Sequence, residues 1–317
     1  MAICHKVTEN HTNVQTIFKA TKIWDLKCVK CLDHKMKNLV AGLMSNASLY
    51  PCINCKTSKH NLGVCGPERK LSCLANDYER FVEVGLSNRK LGKFFFSQVD
   101  APLLYETLEE HKASNEKVSD IIVPSCLHDW LGIGNHFVHE LGEIWPEVVA
   151  EWVKHAKVSA KGYWQGTFMG NSLRDLFEDV SFLENQYGNP KIPLMAPYIN
   201  AIKSFDSVRE SCYGMELHDD YKEKILKFHA DYKVLHEDFG VSILVKAHDV
   251  FYHYIDWIEK WDVPLGVVSE NEGESLHLKF RKFSENKQLV SPDSEEFGDN
   301  LLTVTVALNS QAAIDFD

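Results

Sequence analysis

His248-Asp249-Val250-Phe251-Tyr252-His253 (HDVFYH) places two imidazoles five residues apart, at the start of a stretch whose apolar spacing predicts a helix from about His248 to Trp261. Pro264 and Gly266 break that helix. With slight unwinding both rings reach one ion, and Val250, Phe251 and Tyr252 give it an apolar surround. Two cysteine pairs stand available to complete such a site: Cys28/Cys31 in WDLKCVKCL (24–32) and Cys52/Cys55 in Pro51-Cys52-Ile53-Asn54-Cys55. Zinc takes four soft or borderline ligands in a tetrahedron, and a CxxC turn offers two thiolates to one ion. The second pair has a knuckle-like setting, and Lys56 beside it favours the thiolate form. The first pair lies in an alternating run that predicts a strand, where positions three apart face opposite sides. By spacing alone the options are a Cys₄ ribbon, a mixed site of Cys52, Cys55, His248 and His253, and ordinary surface histidines in a chain that has fifteen.

With 44% hydrophobic and 25% charged residues in 317, the chain has the composition of a globular protein, so disorder is not the default. Its longest apolar runs, Ile121–Val123 and Leu301–Leu308, are too short or interrupted to cross a bilayer, so no membrane partner is expected. The start carries His5, Lys6 and Glu9 and no continuous apolar segment, so no signal peptide is expected. Nine cysteines in an intracellular chain then mean thiols and metal ligands rather than disulfides. A net charge of -11 argues against coating nucleic acid unaided. The charge is uneven: residues 1–60 hold nine lysines and three acids, a net of +6, against -17 for the rest. That pattern suits a piece of a DNA-handling protein, and equally a solvated surface with no partner.

The periodicity predicts a helix-dominated α+β chain. Strands are expected at Trp24–Leu32 and Val241–Val245, and a strand or a docking segment at Leu301–Leu308. Helices are expected at Asp33–Met44, then at about 75–91, 100–112, 134–156, 170–186, 195–212 and 218–239, and from near Glu270. The clearest is 218–239, where Tyr221, Ile225, Phe228, Tyr232 and Leu235 recur at helical spacing. Leu49–Leu62 reads as a loop or knuckle, and Gln288–Asn300 as a polar linker.

Several stretches, in order, resemble the catalytic core of Transib-type DDE transposases and the vertebrate V(D)J recombinase. They are KNLVAGLMSNASLYPCINCK (37–56), CLHDWLGIGN (126–135), GTFMGNSLRDL (166–176), KAHDVFYH (246–253), LGVVSENEGESLHLKFRKF (265–283) and LNSQA (308–312). The resemblance is closer still to related proteins encoded by mobile elements of invertebrates. It covers roughly residues 25–312, and its specificity lies in the combined order of the motifs. It implies a partial RNase H-like core with a large helical insertion, closed by a structural Zn²⁺ on Cys52, Cys55, His248 and His253. The implied divisions are a basic strand, helix and knuckle at 1–65, a helical insertion at 66–240, the histidine and acidic helices at 241–287, and a linker and tail at 288–317.

The family's three carboxylates hold two divalent ions that activate water and stabilise the leaving oxygen. The resemblance implies Asp129 as the middle acid and Glu274 as the last, with Glu270 second. Residue by residue, Asp129 is also an ordinary helix N-cap, and the acids near 270 an ordinary acidic helix start. No glycine-rich first-acid motif precedes Cys52; Asp33, or less well Asp25, is the nearest substitute. A site short of one acid loses most phosphoryl-transfer power, so Mg²⁺ or Mn²⁺ is expected only if the triad is complete. The expectation is therefore a transposase-derived, catalytically incomplete zinc protein of the nucleus, binding DNA weakly as an isolated chain and able to form a homodimer. The alternatives are an active recombinase using Asp33 and a purely structural or interaction protein. Two smaller features stay open between function and surface or core: the basic Lys279–Lys282 cluster, and the tryptophans Trp145, Trp152 and Trp164.

Overall fold

Helical spacing of apolar residues dominates the chain. The computed structural model, which describes residues 10–25, 29–84, 88–160, 167–188 and 191–269, turns it into twelve α-helices. A basic front region holds α1 (His11–Thr21), α2 (His34–Ala41), α3 (Leu71–Glu83) and the short α4 (Leu108–Ala113). The longer helices follow: α5 (Cys126–Ile144), α6 (Pro146–His155), α7 (Gly170–Glu178), α8 (Val180–Tyr187), α9 (Ala196–Cys212) and α10 (Tyr221–Phe239). The series of described helices closes with α11 (Val245–Tyr252) and α12 (Tyr254–Trp261). No described helix is long and apolar enough to cross a membrane.

The expected α+β class, with a partial RNase H-like core, is overturned. Among the described residues there is no β-strand, only isolated bridges such as Lys30 with Ile122 and Cys55 with Glu68. In the run expected as a strand at Trp24–Leu32, Ile23–Asp25 is a 3₁₀ turn, and Asp33 then caps α2 by accepting from the Met36 N–H. At Val241–Val245 the backbone is taken up by helices. The Val241 N–H donates to Leu235, Ser242 C=O accepts from the Tyr232 hydroxyl, and Val245 begins α11. A segment whose polar groups are already paired has none to offer a ladder. The expected strand at Leu301–Leu308, the linker at Gln288–Asn300 and the helix near Glu270 lie outside the described residues.

Several helix boundaries also move. The helix expected at 134–156 starts earlier and breaks at Trp145, whose φ/ψ of -132/68 is extended on the φ side. Pro146 explains the break: it has no N–H and pushes the residue before it out of the helical region. The helix expected at 170–186 divides at Asp179 into α7 and α8.

The main core gathers the inner faces of α5 to α12. Five expected positions of α10, Tyr221, Ile225, Phe228, Tyr232 and Leu235, are all buried. Phe228 stacks on Phe205 of α9 at 4.7 Å between centroids and meets Phe251 of α11 at 5.3 Å, so α11 is fixed against the bundle by aromatic contact. Trp152 is fully buried in the same core. A second core joins α1, α2 and α3 to Ile53 of the knuckle. Gly42 ends α2 with φ at +75°, and a Cβ there would lie 2.2 Å from the Asp100 carbonyl oxygen, so only glycine fits.

Replacing Phe228 by alanine is expected to cost about 3–5 kcal/mol, since a fully buried ring leaves a cavity. Denaturant unfolding followed by circular dichroism checks this; a loss under about 1 kcal/mol would mean that the aromatic contact does not hold α11 in place.

Candidate metal centre

Cys52 and Cys55 sit in an irregular loop between α2 and α3, His248 lies within α11, and His253 caps its end. All four residues are buried, and their ligand atoms lie within 4.8 Å of one another. Cys52 Sγ is 3.4 Å from His253 Nε2, Cys55 Sγ is 3.2 Å from His248 Nε2, and the two Nε2 atoms are 3.3 Å apart. At ordinary zinc bond lengths, a tetrahedron separates S and N by about 3.5 Å and N and N by about 3.3 Å. The donor set, its closeness and its burial are consistent with a structural Zn²⁺ site.

Helix geometry explains how residues five apart converge. On an unbroken helix they point about 140° apart, on different faces. The helix ends at Tyr252, and His253 takes φ/ψ of -123/-18 before α12 begins. That break swings the second imidazole toward the first. The orientation of His248 is set from its far side, where Nδ1 is 2.9 Å from the Leu62 carbonyl and so carries the proton. Nε2 is left as a lone-pair donor facing the sulfurs. Tyr252 adds a second tie, with its hydroxyl bonded to the Gly63 carbonyl. Knuckle and α11 are therefore stitched together outside the donor cluster as well.

The knuckle is shaped by a residue that spacing arguments missed. Arg69 is fully buried, and its Nε donates to the carbonyls of Cys52 at 3.0 Å and Cys55 at 3.2 Å. One terminal nitrogen donates to Phe96 C=O at 2.8 Å. A planar guanidinium thus fixes the turn that presents both sulfurs and places a positive charge beside them. Lys56, expected to favour thiolate, instead pairs with Asp77 at 2.6 Å. No motif marks Arg69, because an isolated arginine has no spacing to read.

The ionisation of the two sulfurs is unequal. Burial, then the neighbouring Cys55 and Asp249, push the Cys52 thiol well above its ordinary range. A hydrogen bond from Cys52, with His248 and His253 nearby, drives Cys55 far below it. Burial alone would lower His248, but the Cys55 sulfur outweighs it and raises the imidazole pKa. Zinc takes both sulfurs as thiolates and both Nε2 atoms without protons. An ion would displace those protons, which couples metal affinity to pH.

A second compact group, His34, Asp129 and Asp249, abuts the first. Asp249 Oδ1 is 3.6 Å from Cys52 Sγ. Asp129 is fully buried; His34 Nε2 lies 2.6 Å from its Oδ1, and the Tyr254 hydroxyl donates to its Oδ2 at 2.7 Å. Burial would raise its pKa, but His34 and Lys37, with the Tyr254 hydroxyl, overcome this and hold it lowered. Asp129 is in α5, within its first turn, rather than capping it.

The other expected site residues separate. Asp33 caps α2 and belongs to neither group. Asp25 is exposed at the end of a 3₁₀ turn. Glu270, Glu274 and the Lys279–Lys282 cluster lie outside the described residues. Cys31 is exposed, with its Sγ 2.6 Å from the Val268 carbonyl, so it does not join Cys52 and Cys55. Cys28, the other half of the ribbon alternative, lies outside the described residues, as does Trp164. None of the described cysteines forms a disulfide.

Arg69→Met is expected to weaken zinc binding about 10–100-fold, the usual range for losing an outer partner of a metal site. Competition with a chromophoric chelator measures it. Arg69→Lys should recover little, because one ammonium cannot reproduce the fork; full recovery would show that only charge matters. No protein-family model matches the chain, and no curated protein matches it in sequence.

Proposed function

We propose that this chain is a zinc-stapled helical protein of transposase descent, related to the Transib and V(D)J recombinase group, that acts by binding rather than by cutting DNA. One observation carries the proposal: a CxxC and an HxxxxH from distant parts of the chain meet as four buried donors within 4.8 Å. These are the two pairs that the resemblance singles out as zinc ligands. The ordered series of motifs around them supports the descent. The role of Zn²⁺ is structural, since four protein ligands leave no open position for a substrate.

Binding is favoured over cleavage because Asp129 is fully buried and held within the protein by His34 and Tyr254, away from any DNA strand. Catalytic Mg²⁺ must also meet the scissile phosphate, so the carboxylates that hold it line an open site. The net charge of -11 limits the bound DNA to weak, local contact.

Metal analysis of the purified chain should find about one zinc per molecule. Cys55→Ser and His253→Ala should each lose it, and Cys31→Ser should keep it. Zinc unaffected by Cys55→Ser would overturn the site and the descent with it. In a separate assay with Mg²⁺ or Mn²⁺, no nicking of duplex DNA is expected. Nicking abolished by Glu274→Gln would instead establish an active recombinase, and a complete lack of salt-dependent DNA affinity would leave a purely structural protein.

A further inference from the structure

Cys65 is exposed, in a loop that wraps a metal centre whose own four donors are all buried. The loop is tied to that centre by its backbone: Leu62 C=O faces His248 Nδ1, and Gly63 C=O accepts from the Tyr252 hydroxyl. On either side of Cys65, the Thr57 hydroxyl donates to Val64 C=O at 3.2 Å and accepts from the Gly66 N–H at 2.6 Å. The same Thr57 oxygen lies 3.1 Å from Cys55 Sγ. One hydroxyl therefore brackets Cys65 and touches a ligand sulfur, which brings the Cys65 thiol within hydrogen-bonding reach of Cys55. Close packing keeps the loop there, since a Cβ on Gly66 would lie 2.7 Å from Thr57 Oγ1. Zinc has its four donors without Cys65, so this thiol is spare.

We propose that Cys65 is an oxidation site that unlocks the metal centre by forming a disulfide with Cys55. The oxidant is a hydroperoxide, which reaches Cys65 from solvent. Its O–O bond breaks as the Cys65 sulfur takes one oxygen and becomes a sulfenic acid, and the other oxygen leaves as an alcohol, or as water from hydrogen peroxide. The Cys55 thiolate then attacks the Cys65 sulfur; the S–S bond forms, and the S–O bond breaks with loss of hydroxide. The pair of sulfurs gives up two electrons, which the peroxide takes. Zn²⁺ keeps its charge and is released, because Cys55 no longer supplies a thiolate. Cys52 faces His253 and Asp249 instead, so Cys55 is the ligand sulfur that Cys65 meets.

The test treats the full zinc-bearing chain with hydrogen peroxide, follows released zinc with a chromophoric chelator and maps disulfides by mass spectrometry of its peptides. Expected are a bond between Cys55 and Cys65, zinc release in step with it, and recovery of zinc binding after a dithiol reductant. Cys65→Ser should keep its zinc before oxidation and release it about tenfold more slowly, since a thiol held in reach reacts faster than one that must diffuse in. Cys31→Ser removes an exposed thiol elsewhere and should behave as the parent does. Release from Cys65→Ser at the parent rate, or a bond between Cys52 and Cys55 in place of the expected one, overturns the proposal. So does equal protection by Cys31→Ser, which would trace release to general thiol oxidation. Loss of zinc from Cys65→Ser before oxidation also overturns it, by making Cys65 a ligand. The proposal rests on the zinc reading, and the two fail differently. A parent chain without zinc before peroxide is added sinks the metal centre and the switch with it, whereas a zinc-loaded chain in which Cys65 does not pair with Cys55 sinks the switch alone.

Discussion

Two sulfurs and two imidazoles must be held dry, within bonding reach of one point, by segments 201 residues apart. Closing so long a loop costs about 5 kcal/mol in chain entropy. Zinc binding to comparable donors returns about 10–16 kcal/mol, so closure is favoured with the ion in place. Without the ion that return is lost. The small second core, with Ile53 of the knuckle among its members, is joined to the bundle also by Ser125 with Leu32 and by His34 with Asp129. Apolar packing ties α9 to α12, with side-chain bonds such as Tyr213 to Tyr254 added; the knuckle meets α11 through the Leu62 and Gly63 carbonyls and the donor cluster.

Charge balance around the cluster follows from the same geometry. Cys55 as thiolate, Asp249 near Cys52 and the Asp129 carboxylate bring negative charge into a small volume. Arg69 and Lys37, both buried, supply positive charge from the knuckle side and from α2. A divalent ion would add the rest at the point where the sulfurs meet. Losing any one of these cations leaves a buried anion uncompensated, which is the costly outcome, so the polar centre behaves as a unit and not as separate bonds.

How much of this was legible depends on the range over which a constraint acts. Chelation acts within a few residues, so the Cys52/Cys55 and His248/His253 spacings were visible, as was the buried stripe of α10. Which pair joins which ion is a long-range fact; spacing left the Cys₄ ribbon open beside the mixed site, and the resemblance lifted the mixed site above it. The alternation in Trp24–Leu32 misled at its described ends, where Ile23–Asp25 is a 3₁₀ turn and Lys30 makes only an isolated bridge with Ile122. Val241–Val245 misled for a related reason: β-branched residues suit an extended connection whose backbone bonds go to helices. Arg69, Asp249 and Tyr254 were invisible, since each acts through contacts that no local pattern records.

Asp129 shows how one residue type supports two different chemistries. An acid near the start of a helix, followed by a glycine-rich stretch, suits a metal ligand as well as a strut. The surroundings decide between them. Both its oxygens are engaged at 2.6 and 2.7 Å, and hydrogen bonds to a charged group are each worth about 1.5–3 kcal/mol. Displacing His34 and Tyr254 from it would leave a buried carboxylate without its partners. Tyr254 directly follows His253, so that displacement would also loosen the helix break that aims the imidazole at the sulfurs. The carboxylate in α5 and the donor cluster are thus mechanically one piece: Asp129 holds Tyr254, Tyr254 holds the start of α12, and the start of α12 holds His253 in place.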